Sequence, residues 1–558
     1  MRAHRRMRRI LARLLRVLIG GMGKVKHESF SVLSGAGEHA GKRMGKAIEP
    51  ENLVALLAKF GRENTGINID SGVRLINQKL DSGEMLRATR LLENGEDLSA
   101  IGYLVNLLAE KGILAEKYIS LRRLESMLNI LDKGYDLDIN KTSSEVINWG
   151  EISRIMYVLH MRGPIVKNGY VSRTGLVTKL IGEIGCQAAC VTRLGFPSEL
   201  KAYRHIPIEE KEQFGGVVCH SLNDEKNNLI YLPLDEYIDE YASRLMSLAV
   251  EGGFDVIHAA SNYINGLAAI RAARKLNLPS IYEVRGLWHI TKESNDPGYR
   301  ETLKYELEEK MEVQCTREAD RVITLSEELK KYFVDRGVSG KKIHVVPNGV
   351  DTDVFKPLGR DRGLMRNLGI EDRDVVIGYV GSLVFYEGLD DVIQSLSDLT
   401  ESGVRNVKLL VVGDGIYRKQ LISLAETLDV SGHCIFTGSV SPKEVQGYYS
   451  LIDIAPFVRK DLPVTRLVPP LKPMEAMAME KCVVVSKLPA LEEIGDDGIS
   501  VFQVAASNRK QLADVLGELI SNPSLRQEVA ENGRQWVREN RSTQALSKRL
   551  WKVYHDRE

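Results

Sequence analysis

The chain has 558 residues, which at roughly 100 to 200 residues per domain allows three or four domains. Apolar residues make up 43% and charged residues 27%, the balance of a globular protein with material for several cores. Lys plus Arg (76) against Asp plus Glu (75) leave a formal net charge of +1, so no global field directs the chain to nucleic acid or membrane. No run of about 18 or more apolar residues reads as a transmembrane helix. Cys186, Cys190, Cys219, Cys315, Cys434 and Cys482 make no C-x-x-C pair and join no ligand-spaced His/Cys cluster, so they read as buried reduced thiols of a cytoplasmic protein.

The first segment, residues 1–27, carries the local charge asymmetry. Arg2, Arg5, Arg6, Arg8, Arg9, Arg13 and Arg16 precede any acid, the first being Glu28. Ile10, Leu11, Leu14, Leu15, Leu18 and Ile19 share one face at helical spacing. A basic amphipathic helix suits an anionic membrane surface, with apolar residues at the lipid boundary and arginines at the headgroups. A disordered basic tail, a helix docked on the protein and a transit peptide stay open as alternatives.

Residues 28–148 read as a helical region. Leu53, Leu56, Leu57 and Phe60 form one stripe; Ile101, Leu104, Leu107 and Leu108 form another; Leu121, Leu124, Met127, Leu128 and Leu131 form a third. No clean period and no chemistry-bearing cluster stand out, so a packing or interaction module is expected.

From Ile152 short β-rich runs alternate with amphipathic helices. Strands are expected at Ile155–Leu159, Ala188–Thr192, Val217–His220, Leu229–Leu232, Val256–Ala260, Ser280–Val284 and Arg321–Leu325. Helices fall between them at Thr174–Ile184, Asp235–Val250, Asn265–Lys275 and Asp296–Glu318. The pattern restarts with strands at Val375–Val380, Val407–Val412, Cys434–Thr437, Ile452–Pro456 and Cys482–Ser486. Their helices are Leu389–Leu399, Ile416–Leu428, Pro442–Leu451 and Lys472–Ala478. Two successive units of this kind predict an α/β fold with two Rossmann-like domains facing a cleft, preceded by an all-helical region. Ligands bind such sheets outside the carboxyl ends of the strands.

The strand exits are therefore the places for chemistry. Tyr157–Tyr170 ends in Asn168-Gly169-Tyr170 ahead of a helix, where a glycine lets backbone approach an anion at the helix N-terminus; a turn glycine is the plainer reading. His258 closes the strand Val256–Ala260, as a cleft residue or as packing. Glu283 and Arg285 at the next exit are poor core residues unless paired; a mutual ion pair or a bidentate grip on phosphate fits them. Later exits carry Gly381-Ser382, Gly413-Asp414-Gly415 and Gly438-Ser439-Val440. Lys472 and Glu475 share a face, as a surface pair or as the start of a packed helix facing the cleft.

In order and spacing, Ala319-Asp-Arg-Val-Ile-Thr-Leu-Ser326, Val345-Val-Pro-Asn-Gly-Val-Asp351, Val411-Val-Gly-Asp-Gly415 and Lys472-Pro-Met-Glu-Ala-Met-Ala478 resemble the family-four retaining glycosyltransferases of the GT-B fold. Asn168-Gly-Tyr170 and Tyr386-Glu-Gly-Leu-Asp390 further resemble a bacterial polysaccharide-type group 1 subgroup. The match runs from about residue 154 to the C-terminus; residues 1 to about 148 have no counterpart.

The resemblance implies an acceptor-side domain at 149–355, a nucleotide-sugar domain at 356–540, and a last helix within 541–558 crossing back to the first. It implies a sugar moved from a nucleotide-diphosphate sugar to a saccharide, lipid-linked or other glycan acceptor, with retained configuration. Glu475 matches the glutamate that binds the ribose hydroxyls, Gly438 to Val440 the loop under the base, Gly169 the glycine near the phosphate, and His258 the segment near donor sugar and acceptor. Gly381, Gly413, Ser382 and Glu387 fall in the donor loops. Many members hold an Arg and a Lys where Ser382 and Glu387 stand, and a second Glu at the position of Leu467. Positive charge for the leaving diphosphate is then expected from Lys472, Arg466 and Arg285. The reading requires no metal and no cofactor beyond the donor. It places the protein in the cytoplasm, with a possible anionic membrane surface as partner and no nucleic acid. A nucleotide-sugar epimerase of the same fold and a non-catalytic scaffold remain alternatives.

Overall fold

The computed structural model describes residues 123, 126–137, 149–166, 168–200, 202–203, 208–222 and 232–556. The basic segment 1–27, most of the helical region 28–148 and the strand expected at 229–232, except its last residue, lie outside them. The chain divides into two compact units: Met1–Asp136 with Glu225–Glu240 and Gly298–Met311, and Leu137–Asp224 with Tyr241–Pro297 and Glu312–Glu558.

In the first unit residues 126–133 are helical, and Leu128, Ile130 and Tyr135 are buried. Ser126 Oγ donates to Asp235 Oδ1 at 2.6 Å, and Lys310 Nζ donates to the carbonyls of Leu131 (2.5 Å) and Asp132 (2.8 Å).

The second unit holds two sheets. The first contains β1 (Arg154–Leu159), β2 (Gln187–Thr192), β3 (Lys211–Phe214), β4 (Val217–Ser221), β5 (Val256–Ala260), β6 (Ser280–Val284), β7 (Arg321–Thr324) and β8 (Ile343–Val345), in the order β3-β4-β2-β1-β5-β6-β7-β8. All pairings are parallel except that of β3 with β4. The second contains β9 (Val375–Val380), β10 (Val407–Val412), β11 (Cys434–Gly438), β12 (Ile454–Phe457), β13 (Cys482–Lys487) and β14 (Phe502–Ala505), all parallel, in the order β11-β10-β9-β12-β13-β14. The central strands β5, β6 and β9 are buried along their whole length, because helices cover both faces of a parallel sheet.

Six helices bear on the site: α1 (Gly169–Glu183), α2 (Tyr263–Lys275), α3 (Leu389–Glu401), α4 (Pro463–Leu467), α5 (Lys472–Ala478) and α6 (Thr543–His555). Asn168, Asn262 and Ser542 cap α1, α2 and α6, each side-chain oxygen accepting a first-turn amide that the helix itself leaves unpaired. Leu546, Leu550, Val553 and Tyr554 form the buried stripe of α6, which packs with Ile155, Tyr157 and Leu180 in the core of the first sheet.

One expected element divides. Asp296–Glu318 is not a single helix: a helix ends at Asn295, a 3₁₀ turn spans Pro297–Glu301, and a second helix runs Leu303–Glu318. Pro297 offers no N–H to a preceding turn, and Asn-Asp-Pro-Gly is turn chemistry. Strands β3, β8 and β14 are short and carry little periodic signal, so they were not legible beforehand.

Candidate functional site

Under the first sheet Glu283 gathers the residues that the sequence offered as cleft chemistry. Its carboxylate accepts from Tyr157 OH (2.6 Å), Arg173 Nε (2.9 Å) and Arg285 Nε (3.1 Å). Arg285 spends its other donors on the Tyr170 carbonyl (2.8 Å), Thr174 Oγ1 (2.8 Å) and Tyr157 OH, and lies 4.2 Å from the ring centre of Tyr170. Arg173 reaches the carbonyls of Pro347 (2.5 Å) and Val346 (2.8 Å). Burial raises the Glu283 carboxyl, but Arg285 and then Arg173 outweigh it and hold it far below the usual carboxylate range. The cluster ties the start of α1 to β1 and β6. Arg285 is thus a buried clamp on α1, and its expected role as a free phosphate-binding cation is corrected: four of its five N–H groups are already engaged.

His258 is also inside. Its ring is fully buried in β5, Nδ1 is 2.7 Å from Tyr554 OH on α6, and Nε2 is 3.8 Å from Glu283. Burial first, with Arg285 and Arg173 adding to it against Glu283, lowers its pKa to about 4, so it is neutral at pH 7. The expectation that His258 lines the cleft is therefore not met. Its side chain faces the packed α6 rather than the strand exit. Gly169, by contrast, is exposed at the N-terminus of α1, and a Cβ there would lie 3.6 Å from Leu471 Cδ1.

The second sheet brings most of the remaining residues together. The exits of β9 and β10 stack so closely that side chains are excluded. A Cβ on Gly413 (φ +139°) would sit 1.9 Å from the Gly381 carbonyl oxygen, and one on Gly381 would sit 2.4 Å from Lys472 Cε. Gly413 N donates to Gly438 O at 2.9 Å, which joins the β11 exit to the same stack, and Val440 packs half-buried on the core.

Lys472, the first residue of α5, lies across Gly381. Its Nζ is 3.0 Å from Glu387 Oε2 and donates to Tyr379 OH. Tyr379 OH is 3.2 Å from Glu387 Oε2, and Arg459 Nε is 3.5 Å from Glu387 Oε1. Burial raises the Glu387 carboxyl, but Lys472 and then Arg459 overcome it and lower it below its ordinary value. Burial lowers the Lys472 ammonium below its ordinary value, with Arg459 adding to it against Glu387 and Glu475. One turn on, Glu475 is half-buried and accepts from Tyr449 OH at 3.2 Å; burial raises its pKa against Tyr449 and Lys472.

The segment between α4 and α5 is held from two sides. Ser326 Oγ donates to Leu467 O (2.8 Å), Asn348 Nδ2 to Pro469 O (2.9 Å) and Arg459 Nη1 to Val468 O (2.8 Å). Ser326 and Asn348 belong to two of the sequence motifs, and the structure gives those motifs this mechanical role. Two expected residues stand apart. Ser382 is exposed, and its carbonyl accepts from Tyr379 OH. Arg466, expected to supply positive charge for the diphosphate, instead forms a surface ion pair with Asp461, Nη2 to Oδ2 at 2.6 Å, apart from the lysine cluster. Arg173, Tyr379, Tyr449 and Arg459 were missed. Arg459 had a legible signal, since it follows the end of β12 by two residues and strand exits carry the chemistry of such sheets.

Comparison with known proteins agrees with this architecture. The model of "Glycosyltransferase Family 4" matches residues 211–354 and that of "Glycosyl transferases group 1" matches 362–536. The chain is 25% identical over 38% of its length to alpha-monoglucosyldiacylglycerol synthase of Streptococcus pneumoniae, covering 48% of that protein. It is 27% identical over 49% of its length to the capsular polysaccharide biosynthesis glycosyltransferase CapM of Staphylococcus aureus, covering 70% of it. It spans less than two thirds of the length of the first curated relatives it matches, 62%, 63% and 48%. Among solved structures, Anabaena Alr3699/HepE in complex with UDP-glucose shares the fold at TM-score 0.54 and 16% identity, over 72% of this chain and 98% of that one. With both halves of the two-sheet unit matched, the chain belongs to the group 1, family 4 glycosyltransferases of the GT-B fold.

Proposed function

We propose that the chain transfers a sugar from a nucleotide-diphosphate sugar to a saccharide, lipid-linked or other glycan acceptor, with retention of anomeric configuration. The observation that carries this reading is the pair Lys472 and Glu475, one helical turn apart beside the glycine-stacked exits of β9 and β10. Glu475 accepts from the two ribose hydroxyls, and Tyr449 steadies one of its oxygens. The Gly438–Val440 loop lies under the base. The exposed amides at the start of α1, beginning at Gly169, face the phosphates. Lys472 meets the charge that develops on the leaving diphosphate. Arg285, His258 and Glu283 hold α1 and α6 in place behind them. The relatives agree in kind: one is an alpha-monoglucosyldiacylglycerol synthase, one belongs to capsular polysaccharide biosynthesis, and a solved neighbour holds UDP-glucose.

A panel of UDP- and GDP-sugars tested by thermal shift identifies the donor, since a ligand bound only by the folded state raises its stability. Proton NMR of the glycosylated product then reads the anomeric configuration. Inverted product removes the retaining assignment. Donor epimerised without any acceptor makes the chain an epimerase, and no shift with any nucleotide sugar supports a scaffold.

The same reading puts the enzyme in the cytoplasm and its basic segment 1–20 on an anionic membrane surface. Deleting residues 1–27 abolishes sedimentation with phosphatidylglycerol vesicles and leaves donor binding intact. Equal sedimentation of both forms ends this part of the proposal. Among the described residues no helix is long and apolar enough to cross a membrane.

A further inference from the structure

The loop that follows β9 would be the natural source of charge for a diphosphate lying on Gly381, yet it supplies none. Ser382 is exposed and neutral, and the buried position 387 is an acid. Positive charge arrives instead from two other elements. Lys472 reaches in from the start of α5, its aliphatic chain against Gly381, with 19% of its side chain still exposed. Arg459 reaches in from the exit of β12, with only 5% of its side chain exposed. Both converge on Glu387, Lys472 at 3.0 Å and Arg459 at 3.5 Å.

Two features set this cluster apart from a closed ion pair. Two cations share the Glu387 carboxylate, and the other acid that acts on Lys472 is Glu475, one turn on and hydrogen-bonded to Tyr449. Arg459 Nε is buried and has no hydrogen-bond partner, its distance to Glu387 being that of a charge contact rather than a hydrogen bond. A buried, unspent cationic donor of this kind costs stability unless an anion completes it. Arg459 is also tied by Nη1 to Val468 O, so its charge cannot swing away.

We propose that Arg459 and Lys472 together form the cationic cradle for the donor diphosphate, and that Glu387 is the positioning residue that holds Lys472 over Gly381 to receive it. This rests on the donor reading above. Glu387 keeps the ammonium paired and oriented, and the diphosphate meets the exposed side of Lys472 and the unpartnered Nε of Arg459 when it binds. The two cations differ in kind, an ammonium with three donors held by Glu387 and a guanidinium fixed to Val468, so they are not interchangeable.

The test uses the full-length chain and isothermal titration calorimetry with UDP and GDP, each against its nucleoside, uridine or guanosine. Lys472→Met and Arg459→Met are expected to weaken binding of the diphosphate by about 10- to 100-fold and leave the nucleoside unchanged, as loss of a charge-assisted contact does. Lys472→Glu alone is expected to lose at least about 100-fold, and adding Glu387→Lys to it should restore diphosphate affinity to within about 10-fold of the parent, because the opposed charges are re-paired in reverse. A merely structural ion pair would recover stability in that double variant without recovering diphosphate selectivity, and thermal melting of each variant reports this separately. Unchanged diphosphate-to-nucleoside ratios in Lys472→Met and Arg459→Met overturn the cradle. Failure of the double variant to regain affinity while melting like the parent overturns the role of Glu387. If the parent chain binds neither UDP nor GDP, the donor reading itself falls, and the cradle with it.

Discussion

Glu283 and Glu387 keep the same company. Each carboxylate meets a tyrosine hydroxyl and two cations, Tyr157 with Arg173 and Arg285 in one case, Tyr379 with Lys472 and Arg459 in the other. They differ in where the cations spend their remaining donors. Arg173 and Arg285 give theirs to Val346, Pro347, Tyr170 and Thr174, so charge, hydrogen bonds and packing close on one another. Lys472 retains an exposed face, and Arg459 retains an unpartnered Nε. A buried acid with two cations is therefore not a signature of function by itself. The first set is closed and fastens secondary structure; the second is open on one side and can accept an anion.

The comparison breaks first at Glu283. Glu283→Ala leaves two buried guanidinium groups without their acid, and about 3 to 5 kcal/mol of unfolding free energy should be lost in urea titration. A loss below about 1 kcal/mol would mean that the cluster does not fasten α1. Next comes Lys472→Ala, expected to lower turnover by at least about 100-fold, as loss of an oxyanion-type donor does. Its melting temperature should move far less than that of Glu283→Ala. Full activity in that variant returns Lys472 to a structural role.

A pH experiment sharpens the closed side. The pKa of His258 is held down to about 4 in the folded chain, and an unfolded imidazole titrates near about 6.5, so between those values the unfolded state binds more protons. Stability from this group is present near neutrality and is lost as pH falls from about 6.5 towards 4, with about 2 kcal/mol going between pH 7 and pH 5. His258→Gln should lack that slope in urea midpoints at the two pH values. An identical slope in both proteins would take the acid sensitivity away from His258. The smallest effect is expected at the ribose contact on the open side. Glu475→Ala should weaken nucleoside diphosphate binding by about 1 to 2 kcal/mol in calorimetry, the cost of unpaired hydroxyls. Unchanged affinity would remove Glu475 from that contact.

Much of this molecule was legible beforehand, and the reason differs between backbone and side chains. The strands β1, β2, β5, β6, β9 and β10 announce themselves as short apolar runs between helical repeats, because a strand buried on both faces can carry little else. The stacked glycines Gly381 and Gly413 were visible too, as strand exits where backbone must approach backbone. Lys472 and Glu475 shared a helical face by spacing alone.

Charge partners were not legible. His258 looked like a cleft residue because it sits near a strand end; only the arrival of Tyr554 on α6, 296 residues later, shows that it points into the core. Arg285 looked like a phosphate ligand until Tyr170 and Thr174 took its donors. Arg459 stands at a strand exit, a legible position, but its pairing with Glu387 and Val468 shows only in the fold. What the sequence by itself determined was the alternation of elements, the family motifs and the glycine-bearing exits, all of which follow from local sterics and periodic burial. What only the tertiary structure decided was which buried charges are spent and which are free, because a guanidinium or ammonium takes its meaning from acceptors that the chain brings back from far away.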